Sequence, residues 1–189
     1  MKKVDHRFDL LGVQVNATTM DGALRRMQQW AEGTSRQYAC LAAVHGIMEC
    51  QRDPGLMRIF NHSGLTLPDG MPLVWAGRLR GFRDIGRVYG PDLMLETCRL
   101  SSKLGHTHFL YGGKAGVAPR LKQILERRFP GIRILGTYTP PFRPLNSEEE
   151  HRLIRKVRLL QPDFFWVGLS TPKQERFMAE YIGRLHAKV

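Results

Sequence analysis

Apolar positions along the chain change period repeatedly, and the changes divide it into alternating strands and helices. Leu11 to Val15 and Tyr38 to Val44 are apolar runs of strand length, and between them a helix runs through Ala23 to Trp30 with Thr18 or Thr19 placed to cap it. His45 to His62 keeps helical spacing around a break, where Asp53 caps and Pro54 takes the first turn of a new segment. Leu65 to Leu67 is a brief strand closed by Pro68-Asp69-Gly70, and two helices follow, Met71 to Leu79 and Pro91 to Leu104, the second stopped by Gly105.

The second half repeats the alternation. Thr107 to Tyr111 is a strand ending in Gly112-Gly113, and Ala115 to Phe129 is a helix ending at Pro130-Gly131. Ile132 to Leu135 is a strand, and Tyr138 to Leu145 is a proline-rich loop. Ser147 and Glu150 form a capping box for a helix through Leu160. Asp163 to Leu169 is a strand, and Pro172 starts a last helix reaching about His186. Strands separated by helices of this length imply an α/β fold, Rossmann-like, with a mostly parallel sheet and helices on both faces. The binding cleft of such a fold lies at the carboxyl ends of the strands.

Length sets one domain, residues 1–189, able to bury a core without disulfides or metal. Cys40, Cys50 and Cys98 are odd in number and widely spaced, which argues against a disulfide framework or a structural zinc site and for a reduced, cytoplasmic setting. No run reaches the ~18 apolar residues of a membrane span. The N-terminus begins with two lysines but carries charges where a signal peptide needs apolar residues.

Charge narrows the partners. The formal net charge is +12, which suits nucleic acid, an anionic membrane surface or phosphorylated ligands. Arginine dominates over lysine, and guanidinium groups suit bidentate phosphate recognition. The aromatic-interleaved basic motifs of nucleic-acid-binding folds are missing, so nucleic acid is not the expected partner.

Three strand ends carry candidate chemistry. At Leu67-Pro68-Asp69-Gly70, the Asp69 carboxylate is placed either as a general base in the cleft or as the cap of the next helix. At Tyr111-Gly112-Gly113-Lys114, glycines can let backbone N–H groups approach a phosphate, or simply make a tight turn. After Val167-Gly168, Pro172 puts Lys173, Gln174 and Glu175 in the first helical turn, on the rim of the cleft. Glu175 also suits the helix dipole, a role Gln174 does not share.

In this order the motifs resemble the WecG/TagA/CpsF family, glycosyltransferase family twenty-six. The matching stretches are Leu67 to Trp75 (LPDGMPLVW), Arg87 to Leu93 (RVYGPDL), Phe109 to Val117 (FLYGGKAGV) and Val167 to Phe177 (VGLSTPKQERF), within a similarity running from about Leu11 to Tyr181. The resemblance implies an inverting transferase of bacterial surface-polysaccharide assembly. It implies a UDP-sugar donor of the N-acetylmannosamine, mannosaminuronic acid or glucose class, an undecaprenyl-diphosphate-linked sugar as acceptor, and no metal or other cofactor. It makes Asp69 the catalytic base. Gly112, Gly113, Tyr138, Gly168, Gln174 and His45 become nucleotide-sugar contacts. Arg78, Arg80, Arg83 and Arg87 become an acceptor and membrane face. The expected location is the inner face of the cell membrane, peripherally bound, with self-association open.

Two departures accompany the resemblance. Relatives often carry T-x-N at the end of the second strand, whereas this chain has Leu41-Ala42-Ala43-Val44-His45, leaving Ala43 without a polar group and His45 as the substitute. Relatives also continue with a further strand and an arginine-rich tail. Both departures leave room for a catalytically impaired, sugar-nucleotide-binding relative, and charge alone for the more remote reading of a nucleic-acid binder.

Overall fold

The computed structural model describes residues 6–189; the two lysines of the N-terminal reading lie outside the described residues. The chain opens with a hairpin of β1 (Arg7–Leu10) and antiparallel β2 (Val13–Asn16). Here the expected strand from Leu11 to Val15 is corrected. Leu11 and Gly12 take φ of 54° and 82°, a left-handed pair that reverses the chain and is favoured by glycine. Asp9 holds the turn by accepting the Gly12 N–H at 3.1 Å.

Helices and parallel strands then alternate. α1 (Met20–Glu32) is capped by Thr19, whose hydroxyl accepts the Gly22 N–H at 3.2 Å. β3 (Ala39–Ala42) leads to α2 (Val44–Arg52) and α3 (Pro54–His62), and Asp53 caps α3 as its spacing to Pro54 predicts. β4 (Leu65–Pro68), α4 (Met71–Leu79) and α5 (Gly90–Leu104) follow. The remainder is β5 (Thr107–Gly112), α6 (Val117–Arg128), β6 (Arg133–Tyr138), α7 (Ser147–Leu160), β7 (Phe164–Gly168) and α8 (Lys173–Tyr181). The capping box of α7 sits one residue earlier than expected. Asn146 and Glu149 exchange the two bonds, so Ser147 is already the first helical residue.

Strands β3 and β4 pair in parallel, and β6-β5-β7 form a second parallel set. Side-chain alternation sends each strand's residues to opposite faces. Cys40 and Ala42 of β3 pack with Ile47, Phe60 and Leu73 from α2, α3 and α4. Its alternate residues, Ala39 and Leu41, lie against the cluster of α1 and α5. In β5, Phe109 and Tyr111 join Leu153 and Phe177 of α7 and α8, while Leu110 joins Ala118 and Leu125 of α6. Helices therefore cover both faces, the α/β, Rossmann-like arrangement that the period changes predict.

The two parallel sets are separated by a slot. α8 ends at Tyr181 rather than near His186, and the chain returns to lie between β7 and β3. Val189 donates to Asp163 O at 3.0 Å and accepts from Phe165 N at 2.7 Å, the bond pattern of a parallel strand beside β7. On its other side, Gln37 N donates to Lys188 O at 2.9 Å. Between the two sets lies an apolar cavity of about 110 Å³, lined among others by Leu41, Trp166, Val167, Phe177 and Val189.

At the amino-terminal end of the sheet, His108 is fully buried and accepts the Trp166 Nε1 proton at 2.9 Å. Burial lowers its pKa to about 4, although Asp163 pulls it upward. An unfolded histidine binds a proton near 6.5, so between pH 6.5 and about 4 the unfolded chain holds the extra proton and stability falls as pH falls. The loss from this group is on the order of 3 kcal/mol. Urea midpoints measured across that window should decline more steeply for the wild type than for His108→Gln, which keeps an acceptor for Trp166. Parallel curves for the two proteins would refute the assignment.

Candidate active site

The carboxyl ends of β3, β4, β5 and β7 supply most of the predicted site residues. Asp69 follows β4 directly, and its backbone N–H continues the ladder to Ala42 O at 2.9 Å. It is not the cap of α4: Gly70 holds that position, and no side chain caps the helix. The carboxylate is mostly buried, with Oδ1 lacking any hydrogen-bond partner. Arg87 donates from Nε to the Asp69 carbonyl at 2.6 Å and holds Nη2 4.0 Å from Oδ1. Its guanidinium also lies 4.4 Å from the Tyr89 ring centre. Burial raises the Asp69 pKa above the ordinary carboxylate value, opposed by Arg87 and by a backbone hydrogen bond from Gly90. A desolvated carboxylate oxygen that accepts no hydrogen bond, held on a strand end beside a cation, is placed to take a proton.

The glycines have a backbone reason of their own. Gly112 has φ of 119°, and a Cβ there would meet Gly168 O at 2.3 Å, so β5 approaches the β7 backbone this closely only with glycine at position 112. Gly113 donates its N–H to Gly168 O at 3.0 Å, which removes that group from the set available to a phosphate. Tyr138 lies at the end of β6, not in the loop beyond it, with its ring 5.8 Å from that of Tyr111.

The first turn of α8 holds a buried polar cluster. Glu175 is fully buried, and its Oε1 accepts from Thr171 Oγ1 at 2.9 Å and from Gln174 Nε2 at 3.1 Å. Gln174 thus turns its amide nitrogen toward Glu175, leaving the carbonyl as the free end. Helix-dipole complementarity was too small a role for Glu175: its carboxylate organises the turn. Sequence spacing could not reveal this, because a first-turn glutamate is ordinarily solvated.

Helix starts divide into two kinds. α1, α3 and α7 are capped by Thr19, Asp53 and Asn146. α2, α4, α6 and α8, which follow the ends of β3, β4, β5 and β7, have no side-chain cap. Part of their first-turn N–H set is already used, with Leu73 donating to Gly70 O at 3.1 Å, Val117 to Lys114 O at 3.0 Å and Gln174 to Ser170 O at 3.0 Å; the first turn of α2 shows no such bond, and helix amino termini favour anions. Ala43 is the uncapped start of α2, close to the cleft: a Cβ on Gly70 would lie 3.9 Å from its Cα. His45 is exposed in the first turn of that helix.

The profile of the Glycosyl transferase WecG/TagA/CpsF family matches residues 8–189. The chain belongs to this family. Among curated relatives, an N-acetylglucosaminyldiphosphoundecaprenol N-acetyl-beta-D-mannosaminyltransferase of Bacillus subtilis (strain 168) is 27% identical over 130 residues, 69% of this chain and 49% of the relative. The protein of the same name from Staphylococcus aureus (strain MRSA252) is 22% identical over 185 residues, covering 97% of this chain and 71% of the relative. A third, from Bacillus spizizenii, is 26% identical over 133 residues, covering 70% and 50%. The chain thus spans about half the length of the Bacillus relatives it matches.

Within this WecG/TagA/CpsF chain the four predicted arginines separate. Arg87 belongs to Asp69, whereas Arg78 and Arg80 lie at the far end of α4 and Arg83 in the loop beyond it, all three exposed. That helix is about 13 Å long, so Arg78 starts from its opposite end to Asp69 and Arg87. Tyr89, Thr171 and the uncapped starts of α4 and α6 escaped the sequence reading. Among the described residues, no group of three or more His, Cys, Asp or Glu side chains is arranged to hold a metal ion. No helix there is long and apolar enough to cross a membrane.

Proposed function

We propose that the chain transfers a sugar of the N-acetylmannosamine class from a UDP-sugar to a lipid-diphosphate-linked N-acetylglucosamine, with inversion and without a metal. The observation that carries this reading is Asp69: a buried carboxylate oxygen with no hydrogen-bond partner, beside a cation and uncapped helix starts. The relatives' names support the transferred sugar and the lipid-diphosphate-linked acceptor, and the UDP-sugar donor follows from the resemblance.

The residues divide the chemistry as follows. Asp69 takes the proton of the acceptor hydroxyl as its oxygen bonds to the anomeric carbon. The bond from that carbon to the UDP oxygen breaks, and the diphosphate leaves with the electron pair. Arg87 and the N–H groups left open at these helix starts, foremost in the first turn of α2, offset the developing negative charge, the task a metal performs in other transferases. Gln174, its nitrogen held by Glu175, offers its carbonyl to a donor hydroxyl or N–H. Gly112 and Gly168 keep the rim low enough for the nucleotide, and Tyr138 and His45 flank it.

Calorimetry with and without EDTA tests the donor half. UDP is expected to bind equally in both, and strict dependence on magnesium or manganese would overturn the metal-free reading. Gln174→Ala is expected to weaken donor use roughly 3- to 10-fold, the worth of one hydrogen bond. The uncapped Ala43 favours one second reading, a chain that binds the nucleotide sugar but transfers poorly. UDP binding without transfer to a lipid-diphosphate acceptor would select it.

A further inference from the structure

A carboxylate sealed from water ordinarily has a cation beside it or hydrogen bonds at both oxygens. Glu175 meets that rule at one oxygen. It is fully buried, and its Oε1 accepts from Thr171 Oγ1 at 2.9 Å and from Gln174 Nε2 at 3.1 Å, while its Oε2 has no hydrogen-bond partner. Arg176, the next residue, pairs with Asp53 at the head of α3 instead. The Glu175 charge is felt across the core: after burial, it is the largest influence raising the Cys40 and Cys50 thiols, on β3 and α2. Thr171 reaches α2 as well, since a Cβ added to Gly46 would lie 3.9 Å from its methyl carbon.

An amide at position 175 would offer Thr171 and Gln174 the same acceptor at a smaller desolvation cost. It would not offer a single answer. Amides both donate and accept, so two facing amides can reverse together, each giving a proton where it received one. A carboxylate has no proton to give. Gln174 is therefore left with one orientation, nitrogen to Glu175 and carbonyl outward. Gln174 also lines the apolar cavity between the strand sets, and a carbonyl covered there by a ligand without a matching proton is costly.

We propose that Glu175 is a positioning residue: it fixes the Gln174 amide so that the cleft presents an acceptor there, and so selects a ligand carrying an O–H or N–H at that point. Thr171 holds the same carboxylate oxygen from the α2 side and keeps it from following Gln174. A site built around one buried acceptor rejects an analogue that lacks the donor more strongly than a hydrophobic wall rejects an extra group. That the ligand is a sugar nucleotide rests on the proposed transfer reaction; the orientation of the amide does not. UDP and its attached sugar both carry such donors, and the two titrations below separate them.

Nuclear magnetic resonance of the full chain, with its glutamine side chains isotopically labelled, tests the orientation without any ligand. The Gln174 amide pair is identified by its disappearance in Gln174→Ala. One of its protons is expected downfield, exchanging with solvent about ten-fold more slowly than in Glu175→Gln, the difference between a bond to a charged acceptor and one to a neutral acceptor. A Gln174 pair that exchanges in the wild type like a solvated amide would overturn the proposal, even if Glu175→Gln does not fold. Ligand selection is tested by calorimetry of UDP and of UDP-N-acetylmannosamine on the wild type, Glu175→Gln, Gln174→Ala and the double variant, with circular dichroism to confirm folding. Glu175→Gln is expected to weaken binding about 3- to 10-fold. A loss already seen with UDP puts the recognised donor on the nucleotide, and a loss confined to the sugar nucleotide puts it on the sugar. The double variant should lose no more than Gln174→Ala alone, because Glu175 acts through Gln174. Additive losses would make Glu175 a support independent of Gln174 and sink the proposal, as would no loss with either ligand. A wild-type chain that holds the Gln174 amide as described but binds neither ligand would remove the sugar-nucleotide reading and leave the positioning role standing.

Discussion

Asp69→Asn is expected to lower sugar transfer about 100- to 10,000-fold, the usual cost of losing a general base, while UDP still binds. The substitution keeps the shape of the side chain and the backbone bonds to Ala42 and Arg87, both of which use main-chain atoms of Asp69. It removes only the carboxylate that lacks a hydrogen-bond partner at Oδ1. That carboxylate takes no part in the strand ladder, and an Asn side-chain oxygen can still accept the Gly90 N–H at the start of α5, so stability should change little. The pH profile gives an independent reading. The base must be ionised, so transfer should fall as pH drops through the Asp69 pKa, which burial raises above the ordinary carboxylate value. Arg87 opposes that rise, so Arg87→Gln should move the acid limb to higher pH. Calorimetry and single-turnover transfer, measured side by side on Asp69→Asn, separate chemistry from binding. Near-wild-type turnover, or equal loss of UDP affinity and transfer, would remove Asp69 from the role of base.

A four- or five-residue β-forming segment fused after Val189 is expected to raise Tm by about 5–15 °C. Val189 already makes parallel-strand bonds with Asp163 and Phe165, and Lys188 accepts from Gln37 on the other side. The next residues of any strand continuing in that direction would run between β3 and β7. There they would meet two strand edges and side chains such as Leu41, Trp166 and Phe177. Alternate side chains would enter the clusters on either face of the sheet. Burying them offsets the backbone entropy of ordering the segment, leaving a net gain on the order of 2–4 kcal/mol. For a chain of this size each kcal/mol moves Tm by roughly 2–4 °C. The control is the same segment with a central proline, which has no N–H to give the ladder. Equal Tm for both segments would show that the slot does not accept a strand. Transfer should rise with the β-forming segment, because the slot separates the β3 end, with Ala43 and His45, from the β7 end, with Gly168 and Gln174.

Local chemistry determined much of this fold. Thr19 and Asp53 cap the helices their positions predict, because a cap needs only one short polar side chain and the next turn. The strand-helix alternation in the chain was enough for the Rossmann-like class, since a strand buried on both faces has few other solutions. Asp69 was readable as a strand-end carboxylate, but its two candidate roles were inseparable along the chain. Only packing left Gly70 as the cap and Asp69 with an unpartnered oxygen beside Arg87. The hairpin at Leu11-Gly12 was missed because an apolar leucine at positive φ breaks no periodicity. The one-residue shift of the α7 box was missed because Asn146 and Ser147 are both competent caps. Gly112 looked like a phosphate loop, and the close approach of Gly168 that requires it comes from a strand far along the chain. Likewise Arg78, Arg80, Arg83 and Arg87 are neighbours in sequence, yet α4 carries the first away from Arg87 by its own length. Properties set within one helical turn could be read from order alone. Those set by which strands lie side by side depend on contacts between residues distant in the chain, and only the folded sheet brings these together.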